Sequence, residues 1–251
     1  MAYTAKTRLY IPAALPGSGT IELDKAQTHY LANVMRVKEG TFIHLFNGKD
    51  GEWQATVANV SRKSVTLIVQ EKVRDQLAEP DVWLCFAPIK KARIDFIAQK
   101  ATELGVSRLQ PILTARTNAE RVKLERMESN AIEAAEQCER LNIPEVSAPV
   151  KFKELMANWP SDRHILFCDE MRDGETAIAH LSQAEKGAPW AIFIGPEGGF
   201  DDTERTALKA QPLCHAVSLG PRVLRADTAA MAAISLWQAT LGDWSTPINQ
   251  D

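Results

Sequence analysis

The chain has 251 residues, 45% of them hydrophobic and 24% charged, with a formal net charge of −3. That suffices for one large or two modest globular domains and excludes a disordered, collagen-like or disulfide-stapled small protein. No apolar run is long enough for a bilayer, and the N-terminus lacks a signal-peptide core. The five histidines and four cysteines are scattered without metal-ligand spacing, so reduced thiols, a cytoplasmic location and no metal are expected.

The first 72 residues read as a small β-rich unit. Segments 8–11 and 20–23 are short strand candidates, and Asp24 caps a brief helix. Segment 29–37 places Leu31, Val34 and Met35 at helical spacing. Alternating strands follow at 41–46, 52–60 and 64–70, separated by polar, glycine-bearing turns. Several short strands with tight turns predict a small barrel. Residues 73–80 are polar, end in proline and read as a linker.

From Asp81 the pattern becomes helices alternating with apolar strands, an α/β signature over 81–251. A strand is expected at 82–88 and an amphipathic helix at 90–104, closed by Gly105. A strand at 106–113 and a helix at 120–141 come next. Further strands are expected at 165–168, 190–194 and 215–219, with helices at 175–181, from Asp201 to Pro212, and at 227–241. Asp201 and Glu204 form a D-x-x-E helix start. Asp227 and Thr228 are both good N-cap types for the last helix.

Two stretches stand out. The strand at 191–194 runs into GPEGGF, and the strand at 217–219 runs into GPRVLRADTA. Each is a glycine-bearing bend between a strand and a helix, where bare main chain can approach one small ligand. GPEGGF alone reads equally as an ordinary turn; it is neither a P-loop nor GxGxxG. Cys168, Asp169 and Glu170 end a third strand, and open α/β sheets bind ligands at such strand ends.

Charge is unevenly distributed. Residues 1–75 hold 10 Lys/Arg against 7 Asp/Glu, residues 86–126 hold 9 against 4, and residues 151–251 hold 9 against 14. A polyanion would meet the first half, although chance clustering of solvated charge fits the numbers equally well.

The pair GPEGGF and LGPRVLRADTA resembles the motifs of the RsmE branch of the SPOUT RNA methyltransferases. The likeness extends to KKARIDFIAQKATELGVSRLQP at 90–111, AAEQCERLNIPEV at 134–146 and HYLANVMRVKEG at 29–40. It covers most of the chain in family order. The resemblance implies an N-terminal PUA-like β-barrel (1–72), a linker (73–80) and a SPOUT α/β domain tied in a trefoil knot (81–251), working as a homodimer. Knots are too rare for periodicity to propose one. The implied reaction is methylation of N3 of one uridine in small-subunit ribosomal RNA, or in the small ribosomal subunit, with S-adenosyl-L-methionine as donor. A related enzyme acting on a ribose hydroxyl or on tRNA, and a non-catalytic ribosome-assembly factor, are the rival readings.

By the same resemblance the donor site takes in Cys168, Asp169, Gly195, Pro196, Glu197, Gly198, Gly199, Leu219, Gly220, Val223, Leu224, Arg225 and Thr228. Leu219, Val223 and Leu224 suit the faces of an adenine. Arg225 either steadies negative charge on a uracil carbonyl or pairs with Asp227 or Glu197. Glu197 either serves the donor amine or a proton transfer, or caps the turn. RNA contacts are expected from Arg8, Arg36, Lys90, Arg93, Lys100, Arg116, Arg140 and Arg222. Gln137 and Arg140 match the family's Glu-Gln-x-x-Arg pattern and read either as facing the partner subunit's active site or as an ordinary helix-surface pair. The chain departs from the family in having Asp227 where relatives carry Glu, and in 114–117, where relatives carry Ser-Glu-Arg-Ser.

Overall fold

The computed structural model describes residues 7–89, 91–118, 122–171 and 175–245. The chain divides into two units. One takes the chain up to Ala78 together with Ala135–Ile143; the other takes Glu79–Ala134 and everything from Pro144 on.

In the first unit, β1 (Arg8–Tyr10), β2 (Gly19–Glu22), β3 (Phe42–Phe46), β4 (Glu52–Val60) and β5 (Val65–Arg74) form one sheet in the order β1-β3-β4-β5-β2. Only β1 and β3 run parallel. Side chains alternate across a strand, so Ile43, Leu45, Ala55, Val57, Val65, Leu67 and Val69 turn inward together and close a core with Leu9, Ile11, Leu23 and Leu31. Helix α1 (Lys25–His29) starts at the expected Asp24, whose carboxylate accepts from Gln27 N in a capping box. It then loosens into one π-helical turn, Tyr30–Val34. That shift overturns the expected apolar face: Leu31 is buried, but Val34 and Met35 are exposed. β5 also extends through Val73 and Arg74, residues expected in the linker.

The segment Ala135–Ile143 was expected in the α/β region but belongs to this first unit. Ala135 and Leu141 bury Phe46, with Tyr10 and Ile143 beside them. Arg8 joins the two pieces. Its guanidinium donates to Ala135 O at 2.6 Å and Arg140 O at 3.0 Å, and its Nε lies 2.5 Å from Glu52 Oε1.

The second unit holds a wholly parallel sheet. Its strands are β6 (Val82–Phe86), β7 (Arg108–Leu113), β8 (Glu145–Val146), β10 (His164–Cys168), β11 (Glu175–Thr176), β12 (Trp190–Ile194) and β13 (Cys214–Ser218), in the order β11-β13-β10-β12-β6-β7-β8. The two-residue β9 (Val150–Lys151) pairs with the end of β7. One face is covered by α2 (Lys91–Glu103), α5 (Ala177–Leu181) and α7 (Ala226–Thr240), through Ile94, Ile97, Ala98, Leu181, Ala230, Ile234 and Trp237. The other is covered by α4 (Phe152–Ala157) and α6 (Asp202–Lys209), through Phe152 and Leu208. Coverage on both faces is why the central strands are apolar throughout. Helix α3 (Leu124–Gln137) is anchored to α2 by Arg126, which grips Asp95 at 2.6 and 2.7 Å.

Three histidines cluster at the N-terminal edge of this sheet. His164 Nδ1 lies 3.2 Å from His215 Nε2, the His180 ring is 4.1 Å from that of His215, and Trp190 stacks on His164. The carboxylate facing them is Glu175, 3.9 Å from His180. Burial, then the neighbouring imidazoles, pushes His215 down to about 4 and lowers His164 as well. The folded chain therefore binds fewer protons than an unfolded chain whose histidines titrate at about 6.5. This contribution to stability is complete above roughly pH 6.5 and is lost as pH falls toward 4. Thermal melts in acid-to-neutral buffers check it; a midpoint that stays level on acidification through that window contradicts it.

Candidate functional site

Because every strand of the second sheet points the same way, the C-terminal ends of β13, β10 and β12 lie side by side at one edge. The segments leaving them, 168–170, 195–199 and 219–225, enclose a cavity of about 450 Å³ with the start of α7. Its wall comprises Cys168, Asp169, Glu170, Ile194, Gly195, Pro196, Glu197, Gly198, Gly199, Leu219, Gly220, Arg222, Val223, Leu224, Arg225, Ala226 and Ala229. The two glycine bends that stood out in the sequence thus meet at one crevice.

The first bend is fixed from two sides. Arg116, at the end of β7, donates to Gly198 O at 2.7 Å, and Glu170 Oε1 accepts from Phe200 N at 3.1 Å. Phe200 is buried against Phe152 and Phe167. Beyond it α6 opens on a capping box between Asp201 and Glu204, and Glu204 also accepts from Ala115 N at 2.7 Å. Gly199 has a φ of 69°, and a Cβ there would run into the Glu170 carboxylate, so only glycine lets these residues close up.

The second bend is more open. Ser218 Oγ accepts from Gly220 N at 3.2 Å, and Gly220 sits at a φ of 107° with open space on its Cβ side. Val223 is 80% exposed, Arg222 and Arg225 are exposed, and Leu219 and Leu224 are half-buried. Among the described residues the Arg225 side chain makes no hydrogen bond or ion pair, while its carbonyl accepts from Ala229 N at 2.7 Å. The pairing with Asp227 or Glu197 weighed from the sequence is taken instead by Arg93: its Nη1 is 3.9 Å from Glu197 Oε1 and its Nε 3.7 Å from Asp227 Oδ2.

Several sequence expectations need correction. Helix α7 starts at Ala226 with Arg225 as an uncapped N-cap, so neither Asp227 nor Thr228 caps it. Thr228 is exposed on the first turn, and the helix presents Ala226 and Ala229 to the cavity instead. The Asp169 side chain is fully buried. It accepts from Arg205 at 2.9 Å and Met171 N at 3.1 Å, with Lys209 Nζ at 3.0 Å, so it braces the strand end. Burial pushes the Cys168 thiol up to about 12, which keeps it neutral and inert. Glu170, named with Cys168 and Asp169 at the third strand end, lines the cavity, and so do Ile194, Ala226 and Ala229, which were not singled out as binding residues; position at a strand or helix end was the available signal.

The expected RNA contacts separate. Arg8 is 4% exposed, with its donors taken by Glu52 and main-chain carbonyls, and Arg140 is 8% exposed, so neither can reach a nucleic acid. Arg36 is exposed at a φ of 53°. Lys100 pairs with Glu103 at 2.6 Å. Arg116 is exposed but holds the first bend, Arg93 lies between the first bend and the first turn of α7, and Arg222 lines the cavity. Lys90 lies outside the described residues.

A family profile described as an RNA methyltransferase domain matches residues 77–238, and one described as an RNA methyltransferase PUA domain matches residues 23–70. The chain is 30% identical over 229 residues to a ribosomal RNA small subunit methyltransferase E from Rickettsia conorii, covering 91% of this chain and 93% of that one. A protein of the same name from Synechocystis is 33% identical over 225 residues, covering 88% and 74%. Among solved structures, a ribosomal RNA small subunit methyltransferase E from Neisseria gonorrhoeae bound to S-adenosyl methionine superposes with a TM-score of 0.87 at 28% identity. It covers 96% of this chain and 100% of that one. A putative methyltransferase from Legionella pneumophila with bound S-adenosyl methionine gives 0.86 at 29% identity, covering 95% and 99%.

Proposed function

The chain belongs to the ribosomal RNA small subunit methyltransferase E family, and from that premise we propose that it methylates N3 of one uridine in small-subunit ribosomal RNA, using S-adenosyl-L-methionine. The observation that carries this reading is the meeting of the 195–199 and 219–225 bends at one cavity.

The cavity suits that donor. At about 450 Å³ it lies within the size range of small-molecule sites. Its apolar residues Leu219, Val223 and Leu224 offer surfaces to an adenine, and the main chain at Gly195, Gly198 and Gly220 can come close to a ligand's polar edges. Glu197 and Glu170 supply negative charge where a sulfonium and an α-amino group are positive. When bound, S-adenosylmethionine supplies an electrophilic methyl group. The chain's residues do the rest by alignment, since an in-line displacement depends on positioning the uridine nitrogen. Arg225, exposed at the cavity rim, steadies negative charge on the uracil carbonyl beside that nitrogen. Arg36 and Arg222 are the exposed cations offered to the RNA backbone, which makes binding salt-dependent. The knotted threading of the C-terminal stretch, a homodimer and a cytoplasmic location belong to the same proposal.

Mapping of modified nucleotides by mass spectrometry in ribosomal RNA from a deletion strain tests it. Loss of one N3-methyluridine, restored by the gene, is expected. Loss of a ribose methyl group, or of a tRNA mark, moves the chain to a sibling activity. A second test concerns the first bend. Gly199→Ala forces a left-handed φ on an alanine and pushes Glu170 off Phe200 N. Relief of strain of about 1–3 kcal/mol by a shift of the bend weakens donor binding by about fivefold to 150-fold. Calorimetry reads this, and unchanged affinity places the donor away from this bend.

A further inference from the structure

Arg93 stands in the first turn of α2, where no acidic residue accompanies it and the helix dipole disfavours a cation. It is nevertheless held there half-buried, 28% exposed, between two carboxylates from different elements: Glu197 of the first bend and Asp227 of the first turn of α7. Asp227, in turn, is favoured by the N-terminal end of α7 and is only 19% exposed. Two residues before it is Arg225, exposed and unpaired among the described residues. The site therefore carries a cation beside two carboxylates, and a second cation two residues from Asp227, at the N-cap of the same helix, is left uncommitted.

We propose that Arg93 is a positioning residue that keeps Arg225 available to the substrate by occupying Asp227, with Glu197 as its second anchor. Without the Arg93 charge, Asp227 is a desolvated carboxylate two residues from a free guanidinium. Arg225 then folds back onto it and leaves the rim of the cavity. Arg93 itself touches neither donor nor uridine, and it acts through the orientation of Arg225. The inference rests on the role given to Arg225 above.

The test compares Arg93→Met, Arg93→Lys, the double variant Arg93→Met with Asp227→Asn, and Arg225→Ala. Turnover on ribosomal RNA, donor affinity by calorimetry and thermal midpoint are measured for each. Arg93→Met is expected to lower kcat by about tenfold or more with the donor Kd changed by less than about threefold, because the loss is in the transition state. Arg93→Lys restores most of the turnover. The double variant regains at least half of the lost turnover on a logarithmic scale, because the carboxylate that captures Arg225 is gone; a merely structural Arg93 gives no such recovery. A double variant as slow as Arg93→Met, or a donor Kd that weakens in step with kcat, overturns the proposal. Arg93→Gln repeats the comparison if Arg93→Met melts below the assay temperature. Normal turnover in Arg225→Ala shows that the role of Arg225 has failed, whereas a slow Arg225→Ala beside a normal Arg93→Met sinks the Arg93 proposal alone.

Discussion

Arg225→Ala is expected to slow methyl transfer by about 10²–10³-fold, the usual consequence of removing a group aimed at charge that develops in the transition state. Donor affinity should move by no more than about threefold, because the cavity wall near Arg225 is otherwise made of main chain and of Leu219, Val223 and Leu224. The split follows from placement. The Arg225 side chain is exposed at the N-cap of α7 and unpaired among the described residues, while most of the candidate cavity's other lining comes from segments that leave the strand ends. Steady-state kinetics with ribosomal RNA, alongside calorimetry with the donor, measure both halves. A variant with normal kcat removes Arg225 from the chemistry, and one that has lost the donor altogether makes it a binding residue.

Arg8→Ala is expected to cost about 3–5 kcal/mol of stability, the range for breaking one side of a buried ion pair. Its side chain is 2% exposed against Glu52 at 9%, and its guanidinium lies over the Phe46 ring with its carbon 4.3 Å from the centroid. The substitution also leaves Ala135 O and Arg140 O without their donor. Among the described residues Glu52 keeps the basic neighbours Arg74, at 3.4 Å, and His44, at 3.7 Å. Denaturant unfolding followed by circular dichroism checks the loss. An Arg8→Ala protein of wild-type stability that binds ribosomal RNA poorly would return Arg8 to the role of an RNA contact.

Arg8 marks where the sequence stops being readable. It belongs to a basic first third, and a surface arginine is the ordinary reading of such a residue. Its partners are 44, 127 and 132 positions away, so nothing local announces that it is buried. Ala135–Ile143 misleads for the same reason: it begins within the last turn of α3, most of which belongs to the second unit, but closes over Phe46 in the first. Short-range chemistry, by contrast, could be read directly. The Asp24 and Asp201 caps, the alternation along β3 to β5 and the apolar runs of β10 and β12 each depend on residues within a turn or a strand.

The candidate site shows both limits at once. Each glycine bend was visible because a strand, a turn and a helix start are local features. That the two bends are neighbours was implied by the family resemblance and not by any local pattern; the order β13-β10-β12 of the folded sheet gives its physical basis. The N-cap of α7 was misplaced because Asp227 and Thr228 have the right side chains for capping, yet the helix opens earlier at the cavity edge with no side-chain cap. Arg93 was read as an RNA contact, since its two carboxylate neighbours come from elements more than a hundred residues further on.

A structure determined with S-adenosyl-L-methionine bound tests the site most directly. The account predicts the methyl-bearing sulfur between residues 195–199 and 219–225, within the cavity bounded by Cys168, Ile194 and Ala229, with Arg225 at its open side. Donor found at any other place on a folded chain, or a space between those two bends closed by side chains in the bound protein, would contradict it.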